Sequence, residues 1–174
     1  PAACVAPRMA EVVLKIGVVG AAGRMGRRLC AAVDAAADAV LVGATLAAGD
    51  ARVGEDVATL LGGPARDVAL SDDAVALFRD ADAVLDFTTP AACVDFAALA
   101  AQAQTIHVIG VTGLDEAQDA AIDRAARHTA IVHAPNMSLG VNLLLALVEK
   151  AAAALPADYD AEVFEMHHRR KVDA

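Results

Sequence analysis

Short apolar runs alternate along the chain with longer stretches of helical pattern. The apolar runs predict six strands, over residues 14–19, 39–46, 65–70, 81–87, 105–111 and 129–134. The longer stretches predict helices over residues 25–36, 91–103, 115–127 and 139–154. Near-continuous apolar strands separated by helices are typical of βαβ units and of a parallel sheet covered on both faces. We therefore expect an α/β fold with a doubly wound, Rossmann-like parallel sheet.

Composition and charge exclude several classes of protein. The 174 residues carry a net charge of −9, which disfavours nucleic acid and anionic membranes as partners because phosphate binding needs a basic surface. No apolar run approaches the ~18–20 residues of a membrane helix, and the first residues lack the pattern of a signal peptide. The three cysteines are widely spaced and the five histidines form no i,i+4 pair. We expect a cytoplasmic protein without disulfides or a metal site.

A glycine-rich segment, "GVVGAAGRMGRRL", follows the first predicted strand at once and begins a helix. Gly20 permits a tight turn, while Gly23 and Gly26 allow backbone and helix to approach a pyrophosphate that binds the helix N-terminus. Arg24 could add a charge-assisted contact. The spacing GxxGxxG is a variant of the GxGxxG fingerprint, and a tight turn without a ligand is the alternative interpretation. Its position on the first strand favours dinucleotide binding.

The fingerprint also expects an acidic residue at the end of the second strand, where it holds the adenosine ribose. Ala47 and Ala48 occupy this place, and Asp50 and Arg52 come a few residues later. This segment therefore does not specify whether the cofactor is NADH or NADPH.

Three more strand ends carry polar or glycine-rich segments: "DFTTP" (86–90), "GVTG" (110–113) and "APNMSLGVN" (134–142). Each by itself is more typical of a turn or helix cap, with Thr88 or Thr89 before Pro90, Thr112 or Asp115 in the next loop, and Ser138 in the third. Because the carboxyl ends of parallel strands share one edge of the sheet, all three would lie beside the glycine loop. Their common placement predicts a ligand site at that edge.

The pattern changes after Pro156. A seventh strand is predicted over residues 161–165, and no helical pattern follows it. We expect an N-terminal extension over residues 1–13, a dinucleotide-binding domain over 14–156, and the start of a second, truncated α+β domain over 157–174.

These segments, together with the closing "EMHHRRKVDA", resemble the 4-hydroxy-tetrahydrodipicolinate reductase (dihydrodipicolinate reductase) family of lysine biosynthesis. The similarity runs from about Lys15 to Ala174 and rests on "GAAGRMGR", "DFTTP", "VIGVTGL", "PNMSLGVN" and above all the histidine pair followed by a lysine and "VDA". The chain departs from the family at Ala47 and Ala48, where an acid and an arginine are usual. It also ends before the family's P-S-G-T motif, so the rest of a substrate and oligomerisation domain is expected to be absent.

The resemblance implies NADPH- or NADH-dependent reduction of 4-hydroxy-tetrahydrodipicolinate, a cyclic dicarboxylate, to tetrahydrodipicolinate in diaminopimelate and lysine biosynthesis, by homotetramers in most bacteria. It implies His167 and Lys171 as catalytic residues and His168 as a substrate-binding residue. The cofactor-binding residues it implies are Gly20, Ala21, Ala22, Gly23, Arg24, Met25, Gly110, Val111, Thr112, Ala134, Pro135, Asn136 and Met137.

Chemistry supports these roles, because two substrate carboxylates need a cluster of cations and the arriving hydride needs a proton donor near neutral pH. Two alternatives stay open. The chain could be a dinucleotide-binding module without turnover of its own, or a different Rossmann dehydrogenase, which would explain the glycine loop but not "HHRRKVDA".

Overall fold

The structure, a computed structural model, describes residues 13–156, 158–164 and 166. The expected N-terminal extension therefore lies outside the described residues apart from Val13. These described residues form six strands: β1 Leu14–Val19, β2 Ala39–Thr45, β3 Leu70–Ser71, β4 Ala83–Asp86, β5 Ile106–Ile109 and β6 Ile131–His133. The helices are α1 Arg24–Asp34, α2 Ala58–Leu61, α3 Ala74–Asp80, α4 Pro90–Ala103, α5 Glu116–Ala125 and α6 Leu139–Ala154.

The six strands form one sheet in the order β3-β2-β1-β4-β5-β6, and every neighbouring pair is parallel. This order confirms the predicted doubly wound, Rossmann-like sheet. The chain first winds outward from β1 to β3 and then crosses to β4 on the other side of β1. The order of strands reverses between β1 and β4, and ligands of open α/β sheets bind at this switch point, beyond the carboxyl ends of the strands.

Helices cover both faces of the central strands. On one face Cys30 of α1 and Val18 of β1 are fully buried in the same cluster. On the other face Val19 of β1 packs in a cluster with Phe78 of α3 and Ala100 of α4. Successive strand residues point to opposite faces, so two covered faces require an apolar residue at every strand position. This accounts for the uninterrupted apolar run at the end of β1.

The third strand lies five residues later than the predicted start, over Leu70–Ser71 rather than 65–70. The cause is the carboxylate of Asp56, which accepts hydrogen bonds from the amides of Ala58 at 2.8 Å and Arg66 at 3.1 Å. Asp67 follows with a left-handed backbone (φ 58°). These contacts hold the segment before Leu70 in a turn, so the prediction was wrong there.

Helix α3 was not predicted. Asp73 caps it by accepting a hydrogen bond from the amide of Ala76 at 2.9 Å, and Leu77 and Phe78 on its buried face pack under the sheet. The signal was present in "DDAVALF", where an aspartate precedes a short amphipathic run, the pattern of a helix N-terminus.

The predicted seventh strand, 161–165, is not formed within the described residues: residues 161–164 belong to no strand, and Val163 and Phe164 are 92% and 86% exposed. Strand residues need a neighbouring strand for their backbone hydrogen bonds, and no described strand pairs with this segment. Helix α6 is formed as predicted, but all its residues are exposed, including Leu143, Leu145 and Leu147. Among the helices of the described residues, none is both long and apolar enough to cross a membrane.

Candidate functional site

A crevice of about 400 Å³ opens at the switch point, between the loops that follow β1, β2 and β4. Three threonines and one aspartate are the residues with polar side chains in its lining, and the rest are glycine or apolar residues. The lining residues are Gly20, Ala22, Gly23, Thr45, Leu46, Ala47, Asp50, Phe87, Thr88, Thr89, Ala92 and Phe96. A mostly apolar crevice with few polar groups is typical of a small-molecule or cofactor site.

The glycine loop forms one wall of this crevice, and two of its glycines, Gly20 and Gly26, are required by the geometry. Gly20 has a left-handed backbone (φ 66°), and an added Cβ would lie 2.7 Å from Cγ2 of Thr88. At Gly26 an added Cβ would overlap the carbonyl oxygen of Gly20, so only glycine lets α1 pack this close to the loop. Ala21 is buried behind the wall, where its amide donates to the carbonyl of Thr45 at 2.8 Å.

Helix α1 begins at Arg24 without a side-chain cap, because its N-cap residue is Gly23, and its first turn contains no acidic residue. The first amide groups of a helix have no intrahelical acceptor and carry the positive end of the helix dipole. Arg24 and Met25 are exposed on this turn, while the guanidinium of Arg27 donates to the carbonyl of Ala22 at 3.1 Å. This end of the helix is therefore suited to an anionic group such as a pyrophosphate.

Asp86, at the end of β4, organises the opposite wall. Its Oδ1 accepts hydrogen bonds from the amide and hydroxyl of Thr88, at 2.9 and 2.6 Å, and its Oδ2 lies 3.2 Å from Nε2 of His107. Burial raises the pKa of the Asp86 carboxyl, but the hydrogen bonds from His107 and Thr88 outweigh it and hold the pKa below its usual value. The carboxylate thus fixes the Thr88 side chain in the crevice.

This arrangement corrects the expected helix cap. Thr89 is at the N-cap of α4 but makes no side-chain cap hydrogen bond, and Pro90 occupies the first turn. The hydroxyl of Thr88 binds Asp86 instead of a helix amide. The "DFTTP" segment was predicted at this edge of the sheet, but the pairing of Asp86 with His107 was not. An aspartate inside an apolar run was the available signal, since a buried charge is almost always paired.

The loop after β5 contacts this wall through Gly110, whose amide donates to the carbonyl of Asp86 at 2.8 Å. A Cβ at Gly110 would overlap the ring of Phe87, which lines the crevice. Val111 is buried and Thr112 is exposed beyond it. The expected cap of the next helix is Asp115, which forms a complete capping box with Gln118.

The loop after β6 lies at the same edge of the sheet but does not line the crevice. Its backbone joins the sheet through the amide of Ala134, which donates to Ile109 at 3.1 Å, and Pro135 and Met137 are exposed. Asn136 Oδ1 accepts from the amide of Ser138 at 2.8 Å, and the Asn142 amide group donates to the carbonyl of Asn136 at 3.0 Å. The polar residues of "PNMSLGVN" therefore shape the turn into α6.

The structure thus brings together only part of the predicted site. Gly20, Ala22 and Gly23 share the crevice with the threonines of "DFTTP", while Gly110–Thr112 and Ala134–Met137 follow neighbouring strands at the same edge without lining it. His167, His168 and Lys171 lie outside the described residues. Within the described part of the chain, no group of three histidine, cysteine or acidic side chains is arranged to hold a metal ion.

Past the end of β2, the crevice reaches Ala47 and Asp50. Asp50 forms a bidentate ion pair with Arg52, in which Nη2 of Arg52 lies 2.6 Å from Oδ2 of Asp50 and Nε lies 2.9 Å from Oδ1. The hydrogen bonds from the Arg52 side chain and amide lower the pKa of the Asp50 carboxyl to about 2. Asp50 and Arg52 come a few positions later in the sequence than the expected ribose-binding residue, yet the path of the loop after β2 brings Asp50 to the crevice.

The fold, the glycine-rich first loop and the crevice at the switch point define a Rossmann-like α/β domain of the dinucleotide-binding class. The family model described as "Dihydrodipicolinate reductase, N-terminus" matches residues 14–137, and the one described as "Dihydrodipicolinate reductase, C-terminus" matches residues 140–174. The chain belongs to the dihydrodipicolinate reductase family.

Curated relatives agree with this assignment. The chain is 54% identical over 159 residues to a 4-hydroxy-tetrahydrodipicolinate reductase of Dinoroseobacter shibae, covering 91% of this chain and 59% of the relative. It is 52% identical over 158 residues to the enzyme of that name from Brucella abortus, covering 90% and 59%. The chain therefore spans about three fifths of the length of these relatives.

Among solved structures, a dipicolinate-bound dihydrodipicolinate reductase from Paenisporosarcina sp. TG-14 is similar in fold. It aligns with a TM-score of 0.67 and 23% sequence identity, over 82% of this chain and 54% of that one. At this identity the likeness supports the fold alone.

Proposed function

We propose that the chain is the dinucleotide-binding part of a 4-hydroxy-tetrahydrodipicolinate reductase, which uses NADPH or NADH to reduce that cyclic dicarboxylate in lysine biosynthesis. The observation that carries the proposal is the crevice at the switch point, with a glycine loop on one wall and the uncapped N-terminus of α1 beside it. Membership of the dihydrodipicolinate reductase family indicates which reaction the complete protein would catalyse.

The residues present fit a dinucleotide. The close approach of α1 to the glycine loop is possible only because Gly26 lacks a Cβ, and the turn at Gly20 needs a left-handed backbone. The amides at the start of α1 would bind the pyrophosphate, with Arg24 as a neighbouring cation. Phe87 and Thr88 would bound the crevice on its far side. We propose that Gly20 to Met25 bind the cofactor through this loop and helix end.

The nicotinamide would supply the hydride, and the protein would orient it and exclude water. We propose that Gly110–Thr112 and Ala134–Met137 approach the nicotinamide half, because their strands continue the same edge of the sheet beyond β4. Because Gly110 has no side chain, its backbone would be able to approach the nicotinamide ring closely. The loop that contains Asn136 is held in its conformation by its own hydrogen bonds.

Substrate binding is assigned to the closing motif. His168 would bind the substrate, while His167 and Lys171 would supply the proton or polarise the nitrogen or leaving hydroxyl as hydride arrives. The adjacent arginines add the positive charge that two carboxylates need. The motif would belong to a substrate and oligomerisation domain that begins near residue 157, and assembly would be the homotetramer of the family. A cytoplasmic location fits the two buried, unpaired thiols of Cys30 and Cys93.

Binding of NADH and NADPH to the chain, followed by nucleotide fluorescence, tests the cofactor half of the proposal. We expect both to bind, and Gly26→Ala to weaken both about tenfold or more because its methyl group pushes α1 from the loop. Gly140→Ala is the control, since its Cβ meets nothing closer than 3.9 Å. Failure of the unmodified chain to bind either nucleotide would overturn the proposal.

Turnover needs a second measurement. We expect steady-state reduction of the cyclic substrate to be absent for residues 1–174 and to appear when the chain is extended by the C-terminal part found in its relatives. Nucleotide binding without turnover in the extended protein would favour the alternative, a dinucleotide-binding module.

A further inference from the structure

The ion pair of Asp50 and Arg52 occupies a distinctive place in the crevice. Asp50 lines the crevice together with Gly20 and Gly23 of the phosphate-binding loop, and it follows the second strand of the sheet. In dinucleotide-binding folds the group beyond the second strand contacts the adenosine ribose. Ala47 and Ala48, which fill the usual position, have no polar side chain. Along the chain after β2, the first charged residues near this end of the crevice are therefore Asp50 and its ion-pair partner Arg52.

The pair contains both kinds of group that distinguish the two cofactors. A carboxylate accepts hydrogen bonds from the ribose hydroxyls of NADH, and it repels the 2′-phosphate of NADPH; an arginine binds that phosphate. In this structure the carboxylate and the guanidinium are hydrogen-bonded to each other. The Arg52 amide and Nε donate to Asp50 Oδ1, at 3.0 and 2.9 Å, and Nη2 donates to Oδ2 at 2.6 Å.

The pair is also able to change partners. The Arg52 and Asp50 side chains are 34% and 20% exposed, and an ion pair that water reaches contributes little to stability. Backbone hydrogen bonds hold the loop independently of the pair, since the amide of Asp50 donates to Ala47 and the amide of Val53 donates to Asp50, each at 3.1 Å. Removing either charge therefore changes the electrostatics of the crevice and leaves its shape.

We propose that the Asp50–Arg52 ion pair sets the choice between NADH and NADPH in this protein. While the pair is closed its charges cancel, and the chain binds the two cofactors with affinities within about tenfold of each other. Loss of Asp50 frees a guanidinium for the 2′-phosphate, and loss of Arg52 frees a carboxylate for the ribose hydroxyls. The inference rests on the proposed dinucleotide binding and deepens it by naming the selecting residues.

The test measures Kd for NADH and for NADPH with the chain, by nucleotide fluorescence or calorimetry, at one fixed ionic strength because salt screens these charges. In Asp50→Asn we expect the ratio of Kd for NADPH to Kd for NADH to fall about tenfold or more. In Arg52→Gln we expect it to rise by a similar factor, as the loss or gain of one charged hydrogen bond implies. The double variant, neutral like the original pair, should return the ratio to within about threefold of its starting value.

Arg79 and Asp80 provide the matched control. They form an exposed ion pair on α3 with Nε and Oδ1 2.7 Å apart and do not line the crevice. Arg79→Gln and Asp80→Asn change the net charge by the same amounts and should leave the ratio unchanged. An unchanged ratio in both Asp50→Asn and Arg52→Gln, with both nucleotides still bound, would overturn the inference and leave the proposed function standing. If the unmodified chain binds neither nucleotide, both are overturned.

Discussion

The Asp86 carboxylate and the His107 imidazole face each other across adjacent strands in the interior, with Oδ2 and Nε2 3.2 Å apart and both side chains fully buried. Their strands pair so that Val84 lies opposite His107 and Ile109 lies opposite Asp86, which makes the two residues diagonal neighbours on one face. His107 also meets Phe78 edge to face, at 5.7 Å between ring centroids. Through Thr88, this buried pair supports the wall of the crevice.

Removal of either partner of this pair should destabilise the domain strongly. We expect His107→Phe and Asp86→Asn each to lower the free energy of unfolding by about 3 kcal/mol, because the first leaves the buried carboxylate without its imidazole and the second replaces that carboxylate by a neutral amide. Urea unfolding followed by circular dichroism measures this. His128→Phe is the control, since His128 is exposed, and it should stay within about 0.5 kcal/mol. Equal stability of His107→Phe and His128→Phe would contradict the assignment.

The same pair predicts how stability depends on pH. The pKa of Asp86 is lower in the folded protein than its usual value, so its charged form stabilises the fold above the unfolded-state pKa of about 3.9. This contribution is lost as the pH falls through the folded-state pKa. The stability difference between the unmodified chain and Asp86→Asn should therefore shrink as the pH falls below about 4. A difference that grows on acidification would show that Asp86 is not ionised in the fold.

Gly110 and Phe87 should behave as a coupled pair. Because a methyl group at Gly110 would overlap the Phe87 ring, Gly110→Ala must move that ring and should cost about 1–3 kcal/mol of stability. Phe87→Leu removes part of the ring and relieves the overlap. In a double-mutant cycle measured by urea unfolding, the double variant should therefore lose less stability than the two single variants added together. Additive losses would mean that the two side chains are independent.

The alternation of strands and helices and the glycine loop could be predicted because both follow from local patterns: apolar runs separated by helical stretches, and glycines at one tight turn. The third strand could not, because its start depends on the Asp56 carboxylate, which accepts a hydrogen bond from the amide of Arg66 ten residues later. The Asp86–His107 pair could not be predicted either, because it joins residues that are 21 positions apart in the sequence and lie on different strands. The crevice position of Asp50 depends on the path of the loop after β2, which single-residue preferences do not determine.

The two buried thiols should be chemically inert in the folded chain. Burial raises the pKa of Cys30 to about 11 and that of Cys93 to about 12, and Cys93 also lies beside the Asp86 carboxylate. Only the thiolate reacts with disulfide reagents. In a Cys4→Ser background, we expect no labelling by an aromatic disulfide until denaturant is added. The same background with Ala37→Cys, at an exposed position, should label at once. Rapid labelling of the background alone would contradict the burial of both thiols.

The closing motif provides the last prediction, to be tested in the chain extended by the C-terminal part of its relatives. His167→Gln and Lys171→Ala should each lower kcat by about 10²-fold or more, because a group that transfers or stabilises a proton in the transition state contributes about that much. In fluorescence titrations, each variant should bind NADH, and likewise NADPH, with the same Kd as the unmodified extended protein. The reason is that the crevice is lined by the glycine loop and the loop after β4 and not by the closing motif. His128→Gln, at an exposed position, should leave both kcat and Kd unchanged. Unchanged kcat in both motif variants would remove these residues from the reaction, whereas a fall in kcat with intact nucleotide binding would assign them to the substrate side of the transfer.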